Sequence, residues 1–269
     1  THKCVEIAKA QLAAGAIGQC CAKLGEAEQM GAGGVESIVI TSPVVTARGI
    51  ARAMVLNAKI SDLMLTVDNP ENATALAAAA KTAGKVLKVL VDLDPGLHRT
   101  GIAPGEPVLA LARQIHADAN LELRGLQCYA GHVMHIEDFA ERREKSLKAM
   151  KLLGETRDAL KAADLPCEIV SGGGTGSFDI DPEAGVLTEL QGGSYAFMDK
   201  QYNDVKGGNG APVAFETSLF VQMSVVSNNT SGLATTDAGF KAFSTDAEAP
   251  VLLSGAPEGS SYFFFGDEQ

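Results

Sequence analysis

The chain has 269 residues, 46% hydrophobic and 20% charged, with 29 glycines and a formal net charge of −11. A chain of that size and balance can bury a large core, while the acidic excess excludes a nucleic-acid or anionic-membrane surface, which needs clustered Lys and Arg. No apolar run reaches the roughly 20 residues that span a bilayer and no secretory signal pattern opens the chain, so small-molecule work in the cytoplasm is expected, in keeping with five cysteines that form no C-x-x-C pair.

In chain order, a helical pattern opens at 4–14. Runs rich in Val, Ile and Leu at 16–22, 37–42, 62–68, 88–94, 121–129, 168–171 and 186–190 read as strands. Ala-rich helical patterns fill the gaps, the clearest at 46–57, 72–83, 107–117 and 137–163. Such alternation marks βα units around a parallel sheet. The expected fold is α/β, an eight-stranded (β/α) barrel of the TIM type whose first strand would lie ahead of the opening helix, since Thr1 is no translational start. After Gly192 the alternation stops, and short strand-like runs at 218–226, 232–236 and 261–265 suggest a second, mostly β domain. The expected domains are 1–210 and 211–269, the latter cut short at Gln269.

In such a barrel the chemistry belongs at the carboxyl ends of the strands, and unusual residues fall there. Cys21 and Lys23 end one strand, Thr41 and Ser42 the next, then Asp68. Arg99 follows in Gly96-Leu97-His98-Arg99-Thr100-Gly101, and Tyr129 opens the loop that runs through His132 to His135. The last two strands end in glycine turns, Ser171-Gly172-Gly173-Gly174-Thr175-Gly176-Ser177 and Gly192-Gly193-Ser194-Tyr195. Bare amides at strand ends can hold an anion. No Lys follows these glycines, so they are not a nucleotide P-loop, and no G-x-G-x-x-G opens an early helix. A phosphate on a compact ligand fits the pair of turns, and ordinary loop punctuation is the alternative.

Each residue also has a structural reading. Arg99 could pair with Asp92 or Asp94. His132 and His135, three apart, could be metal ligands, but no H-E-x-x-H motif accompanies them. Tyr129 could be a plain strand-end aromatic or could stack on a planar ligand.

The segments Thr1-His2-Lys3-Cys4 and 20–28, the Arg99 loop, the Tyr129 to His135 loop, the Gly172 to Gly176 turn, Gly193 to Asp199 with Tyr202, Asp237-Ala238-Gly239 and Gly266-Asp267-Glu268 together resemble the D-threonine aldolase branch of the pyridoxal-phosphate enzymes with an alanine-racemase-like barrel. D-serine dehydratases are close relatives, but their eukaryotic members tend to carry Ser-Thr-Pro-Thr where this chain has its glycines. A 3-hydroxyaspartate aldolase would share nearly every motif.

The resemblance implies a lyase that uses pyridoxal 5'-phosphate and a divalent cation (Mn, Mg or Zn) to cleave D-threonine to glycine and acetaldehyde. It places the Schiff-base lysine immediately before Thr1, Arg99 beside the cofactor's phenolic oxygen, and Tyr129 near the ring or substrate. It also gives the phosphate to the amides of Gly174, Thr175 and Gly176 with Ser194 and Tyr195. His135 is the candidate base for the β-hydroxyl proton, because imidazole titrates near neutrality. The metal ligands, a His and an Asp or Cys two residues later, are implied beyond Gln269, so no metal ligand is assigned within the chain. A homodimer acting on a small D-amino acid is implied as well. D-serine dehydratase, D-3-hydroxyaspartate aldolase and a non-catalytic pyridoxal-phosphate carrier are the alternatives, and a sugar-phosphate barrel without cofactor is a further one.

Overall fold

Seven apolar runs become seven parallel strands because each is carried back to the start of the sheet by a crossover segment. In the computed structural model, which describes residues 2–239, 242 and 250–263, these are β1 (Gln19–Cys21), β2 (Ser37–Ile40), β3 (Asp62–Val67), β4 (Leu87–Asp92), β5 (Leu121–Cys128), β6 (Ile169–Gly172) and β7 (Glu189–Leu190), paired in that order. Each observed strand falls within or one residue beyond its expected run. β2, β3 and β4 are buried along nearly their whole length, as expected for parallel strands covered on both faces. The eighth strand of a closed barrel is not among the described residues, and β1 and β7 form the edges of the sheet.

The sheet is nonetheless strongly curled. Neighbouring strands stand about 4.8 Å apart, so β2 and β5 in a flat sheet would lie about 14 Å from each other. Yet Gln127 at the end of β5 donates to the Thr41 carbonyl just past β2 at 3.2 Å. Val39, Met64 and Leu90 of three strands also form one core cluster that reaches Ile169 of β6.

The helices are α1 (Val5–Ala13), α2 (Leu24–Ala32), α3 (Ala47–Lys59), α4 (Pro70–Ala83), α5 (Glu106–Ala117) and α6 (Phe139–Ala162). Three of them start on a side-chain cap: Thr46 accepts the Gly49 amide at α3, Asn69 accepts those of Glu71 and Asn72 ahead of Pro70 at α4, and Asp138 accepts that of Glu141 at α6. Helices fill the gaps until β6. Between β6 and β7 there is only a 3-10 turn, Asp181–Ala184, because Pro182 opens it and Gly185, at φ 61°, turns the chain left-handed. None of the described helices is long and apolar enough to cross a membrane.

The chain divides into two compact units, Thr1–Ser194 and Tyr195–Gln269. The second contains α7 (Lys200–Asp204) and a short antiparallel pair, β8 (Val225–Ser227) with β9 (Thr235–Thr236). β9 falls within the run expected at 232–236, and β8 reaches one residue beyond that expected at 218–226. In the run expected at 261–265, residues 261–263 are not strand and the other two lie outside the described residues.

Gly125 shows how tightly β5 and β6 are joined. Its φ of +140° suits glycine, and a Cβ there would stand 1.9 Å from the Ile169 carbonyl oxygen. Gly125→Ala is expected to cost about 3 kcal/mol or more, as strain and overpacking add. Urea denaturation of the two proteins checks this, and an unchanged midpoint would refute the contact.

Candidate active site

The loop after β4 is held by three carboxylates. Asp94 accepts the amides of Gly96 and His98 at 2.8 and 3.0 Å, and its other oxygen meets His98 Nδ1 at 2.8 Å. Asp92 accepts the Thr100 hydroxyl at 2.8 Å, and Asp68 accepts the Gly101 amide at 3.0 Å. Arg99 is therefore presented between anchored neighbours. Its guanidinium makes no ion pair among the described residues and lies 5.2 Å from the centroid of the Tyr129 ring, within cation–π range. The alternative pairing of Arg99 with Asp92 or Asp94 does not form, because those oxygens are taken by Thr100, Gln127 and the His98 segment.

Burial pushes the Asp92 carboxyl above the usual carboxylate range, against the Gln127 and Thr100 hydrogen bonds. Asp94 also suffers from desolvation, yet the His98 and Gly96 amides and the His98 ring carry it below that range. Burial raises the Tyr129 phenol, and Arg99 works against the rise.

Tyr129 directly follows β5 and leads into a 3-10 turn, Gly131–Val133, that places Met134 inside and His135 outside. The glycine turn after β6 touches this loop. A Cβ on Gly174 would stand 2.8 Å from Met134 Sδ and 3.4 Å from Tyr129 Cε2, and one on Gly176 would stand 2.1 Å from the Met134 carbonyl oxygen. Small residues are needed here so that two loops can close on each other. Arg99, Tyr129, the 174–176 turn and the His135 loop thus meet at the carboxyl ends of β4, β5 and β6.

Within the turn, the Gly174 amide already donates to Ser177 Oγ at 3.2 Å. The buried Gly176 amide has no acceptor among the described residues. Thr175 is 3% exposed. Of the second turn, Ser194 closes the first unit, half-buried in the 3-10 turn Ser194–Ala196, and Tyr195 opens the second unit. His132 is exposed, and no three His, Cys, Asp or Glu side chains among the described residues could hold a metal ion.

Sequence reasoning missed the polar floor beneath these loops. Gln127 Nε2 donates to Asp92 Oδ1 at 2.9 Å as well as to Thr41, and its Oε1 accepts from Gln191 at 3.2 Å. Gln191 also reaches Ser171 Oγ at 2.7 Å. The signal was a polar residue one position from the end of an apolar strand. Asp181 was missed too; burial pushes its carboxyl up, while the Ser146 and Ser177 hydroxyls hold it down.

The seven-stranded curled parallel sheet of an α/β fold thus carries a cation without an ion-pair partner, an aromatic face and a glycine turn at its carboxyl end. Residues 1–201 match the family of the alanine racemase N-terminal domain, and the chain belongs to that family. It is 40% identical to a D-threonine aldolase from Arthrobacter sp, over 99% of this chain and 69% of that protein. It is 37% identical to a 3-hydroxy-D-aspartate aldolase from Paracoccus denitrificans (strain Pd 1222), over 93% of this chain and 66% of that protein. The crystal structure of a D-threonine aldolase from Filomicrobium marinum superposes with a TM-score of 0.87 at 36% identity, covering 91% of this chain and 65% of that one. The chain therefore spans about two thirds of the length of these relatives.

Proposed function

We propose that the protein is a pyridoxal-phosphate-dependent lyase that cleaves D-β-hydroxy-α-amino acids by retro-aldol reaction, D-threonine giving glycine and acetaldehyde. The observation that carries this reading is the meeting of Arg99, Tyr129, the Gly174 to Gly176 turn and the His135 loop at one end of the sheet, in a chain 40% identical to a D-threonine aldolase. These residues fit the cofactor. A guanidinium without an acidic partner suits a phenolate, the Tyr129 face suits a flat ring, and the buried, unpaired Gly176 amide suits a phosphate oxygen.

When bound, pyridoxal phosphate accepts the electron pair left on Cα as the Cα–Cβ bond breaks. The remaining work falls to the chain. Arg99 would hold negative charge on the phenolic oxygen, and the glycine turn, with Ser194, would hold the phosphate. Tyr129 would pack against the ring. His135 takes the β-hydroxyl proton as the carbonyl of acetaldehyde forms at Cβ, and its exposed place on the loop gives it access to substrate. A lysine directly upstream of Thr1, which the family resemblance implies, would tether the cofactor.

A divalent cation would be held by residues beyond Gln269, since the described residues bring together no three His, Cys, Asp or Glu side chains that could hold it. A homodimer in the cytoplasm completes the reading. The 3-hydroxy-D-aspartate aldolase relative supports D-3-hydroxyaspartate as the second substrate to try.

The test is to assay the intact protein on D-threonine, D-serine and D-3-hydroxyaspartate, with and without chelator, and to trap the cofactor with borohydride for peptide mapping. Acetaldehyde from D-threonine and a label on the upstream lysine are expected. Colour without aldehyde from any of the three would point to a carrier, and a colourless, unlabelled protein would sink the reading altogether.

A further inference from the structure

Asp181 has no part in the chemistry above, yet its carboxylate lies directly beneath the glycine turn. It is 1% exposed, as is Ser146, while Ser177 is 0% exposed. Ser177 Oγ donates to Asp181 Oδ2 at 2.6 Å, and Ser146 of α6 donates to Oδ1. The same Ser177 oxygen accepts the Gly174 amide at 3.2 Å, and the Ser177 amide returns to the Gly174 carbonyl at 3.1 Å. Gly173, at φ +69°, passes so close that a Cβ would stand 2.7 Å from Asp181 Oδ2.

A buried carboxylate is an expensive way to cap a turn, the more so beneath a site for a phosphate. Its use here follows from hydrogen-bond direction. Two hydroxyl donors approach its two oxygens, and a carboxylate accepts at both, whereas an amide accepts at one and donates at the other. The Ser177 hydroxyl has one hydrogen and two acceptors in reach, Asp181 Oδ2 at 2.6 Å and Met134 Sδ at 3.7 Å; the carboxylate is much the stronger, and with the hydrogen on that side the Ser177 oxygen is left with lone pairs to receive the Gly174 N–H. A hydroxyl free to rotate would point its hydrogen elsewhere for part of the time and release that amide.

We infer that Asp181 is a positioning residue for the phosphate-binding turn, which by holding the hydrogen of Ser177 makes that oxygen the fixed acceptor of the Gly174 amide. The inference rests on the reading of this turn as the phosphate site. Asp181 touches no ligand itself. It sets the conformation from which the amides that follow Gly174 are presented.

The test compares binding of pyridoxal phosphate with binding of pyridoxal, which lacks the phosphate, by equilibrium dialysis of the intact protein. Ser177→Ala and Asp181→Ala are each expected to weaken pyridoxal phosphate about tenfold, the scale of one hydrogen bond in a charged site, and to leave pyridoxal within about twofold. Ser146→Ala, which spares the Ser177 bond, is expected to leave both ligands within about twofold. In the absence of any cofactor, the Gly174 amide should exchange hydrogen faster in Ser177→Ala. Ser177→Cys, nearly isosteric and a weaker partner, serves if either of the first two variants fails to fold by circular dichroism, and should fall between wild type and Ser177→Ala.

Equal loss for both ligands would show a general structural role and overturn the inference, as would unchanged affinity for pyridoxal phosphate. If wild type binds neither ligand, the proposed function fails first and this inference with it. If wild type binds pyridoxal phosphate and the variants match it, the positioning role alone fails.

Discussion

Replacing His135 by Ala is expected to lower kcat for D-threonine cleavage by about 10²–10⁴-fold, the usual worth of a positioned base, with pyridoxal phosphate still bound. The split follows from where His135 stands. Its neighbour Met134 is buried against Gly174 and Gly176, whereas His135 itself is exposed at the mouth of the site. Truncating an exposed side chain leaves the Met134 contact that shapes the glycine turn. A lost base slows proton removal from the β-hydroxyl, so the loss should appear in kcat at saturating substrate, while the absorption of the bound cofactor stays as in wild type. Single-turnover measurement of acetaldehyde release checks this. Turnover within threefold of wild type would remove His135 from the reaction, and loss of cofactor colour would recast it as a binding residue.

Arg99→Ala should act differently, changing the cofactor itself. With no carboxylate on its guanidinium, Arg99 can give its full charge to an incoming phenolate. A hydrogen bond to a charged group is worth about 1.5–3 kcal/mol, so a loss of about 10–100-fold in kcat/KM is expected, together with a shift in the cofactor's absorption band as its ring loses its cation. Arg99→Lys should restore part of the rate, since the charge returns without the planar fork. The fold should be untouched. The Asp92 to Thr100, Asp68 to Gly101 and Asp94 to His98 contacts hold the loop without the Arg99 side chain. Equal activity of wild type and Arg99→Ala would refute the assignment, whereas a lower melting temperature would mean that the Tyr129 stack is structural.

The course of the chain was legible because parallel strands buried on both faces write themselves as unbroken apolar runs, as in Leu63-Met64-Leu65 or Val89-Leu90-Val91. α2 was harder. Gly25 and Gly31 lower its helix propensity, and its form comes from burying Leu24, Ala27 and Met30 along one side. The missing helix between β6 and β7 was hidden for the opposite reason, since the punctuation of Pro182 and Gly185 also fits a long loop. At the site, the bare glycines and the lone Arg99 were visible as residue types. The sequence could not show that Asp92 turns inward to Gln127 and Thr100, leaving Arg99 unpaired. Nor could it show that Ser177 captures the Gly174 amide, because that depends on the chain doubling back to Asp181. Contacts such as Gln127 with Thr41, or Ser146 with Asp181, join segments far apart in sequence and exist only once the sheet has curled.

That curl has a dynamic consequence through Gln127. One side chain bonds the ends of β2 and β4 and meets Gln191 past β7, which in turn holds Ser171 of β6. It works like the keystone of an arch: the staves of the wall lean on a shared central piece as well as on their neighbours. Loosening any one of them disturbs that piece and transmits the disturbance to the rest, so breathing motions at this rim should be collective, and the amides of distant strands should open to solvent in a single concerted event.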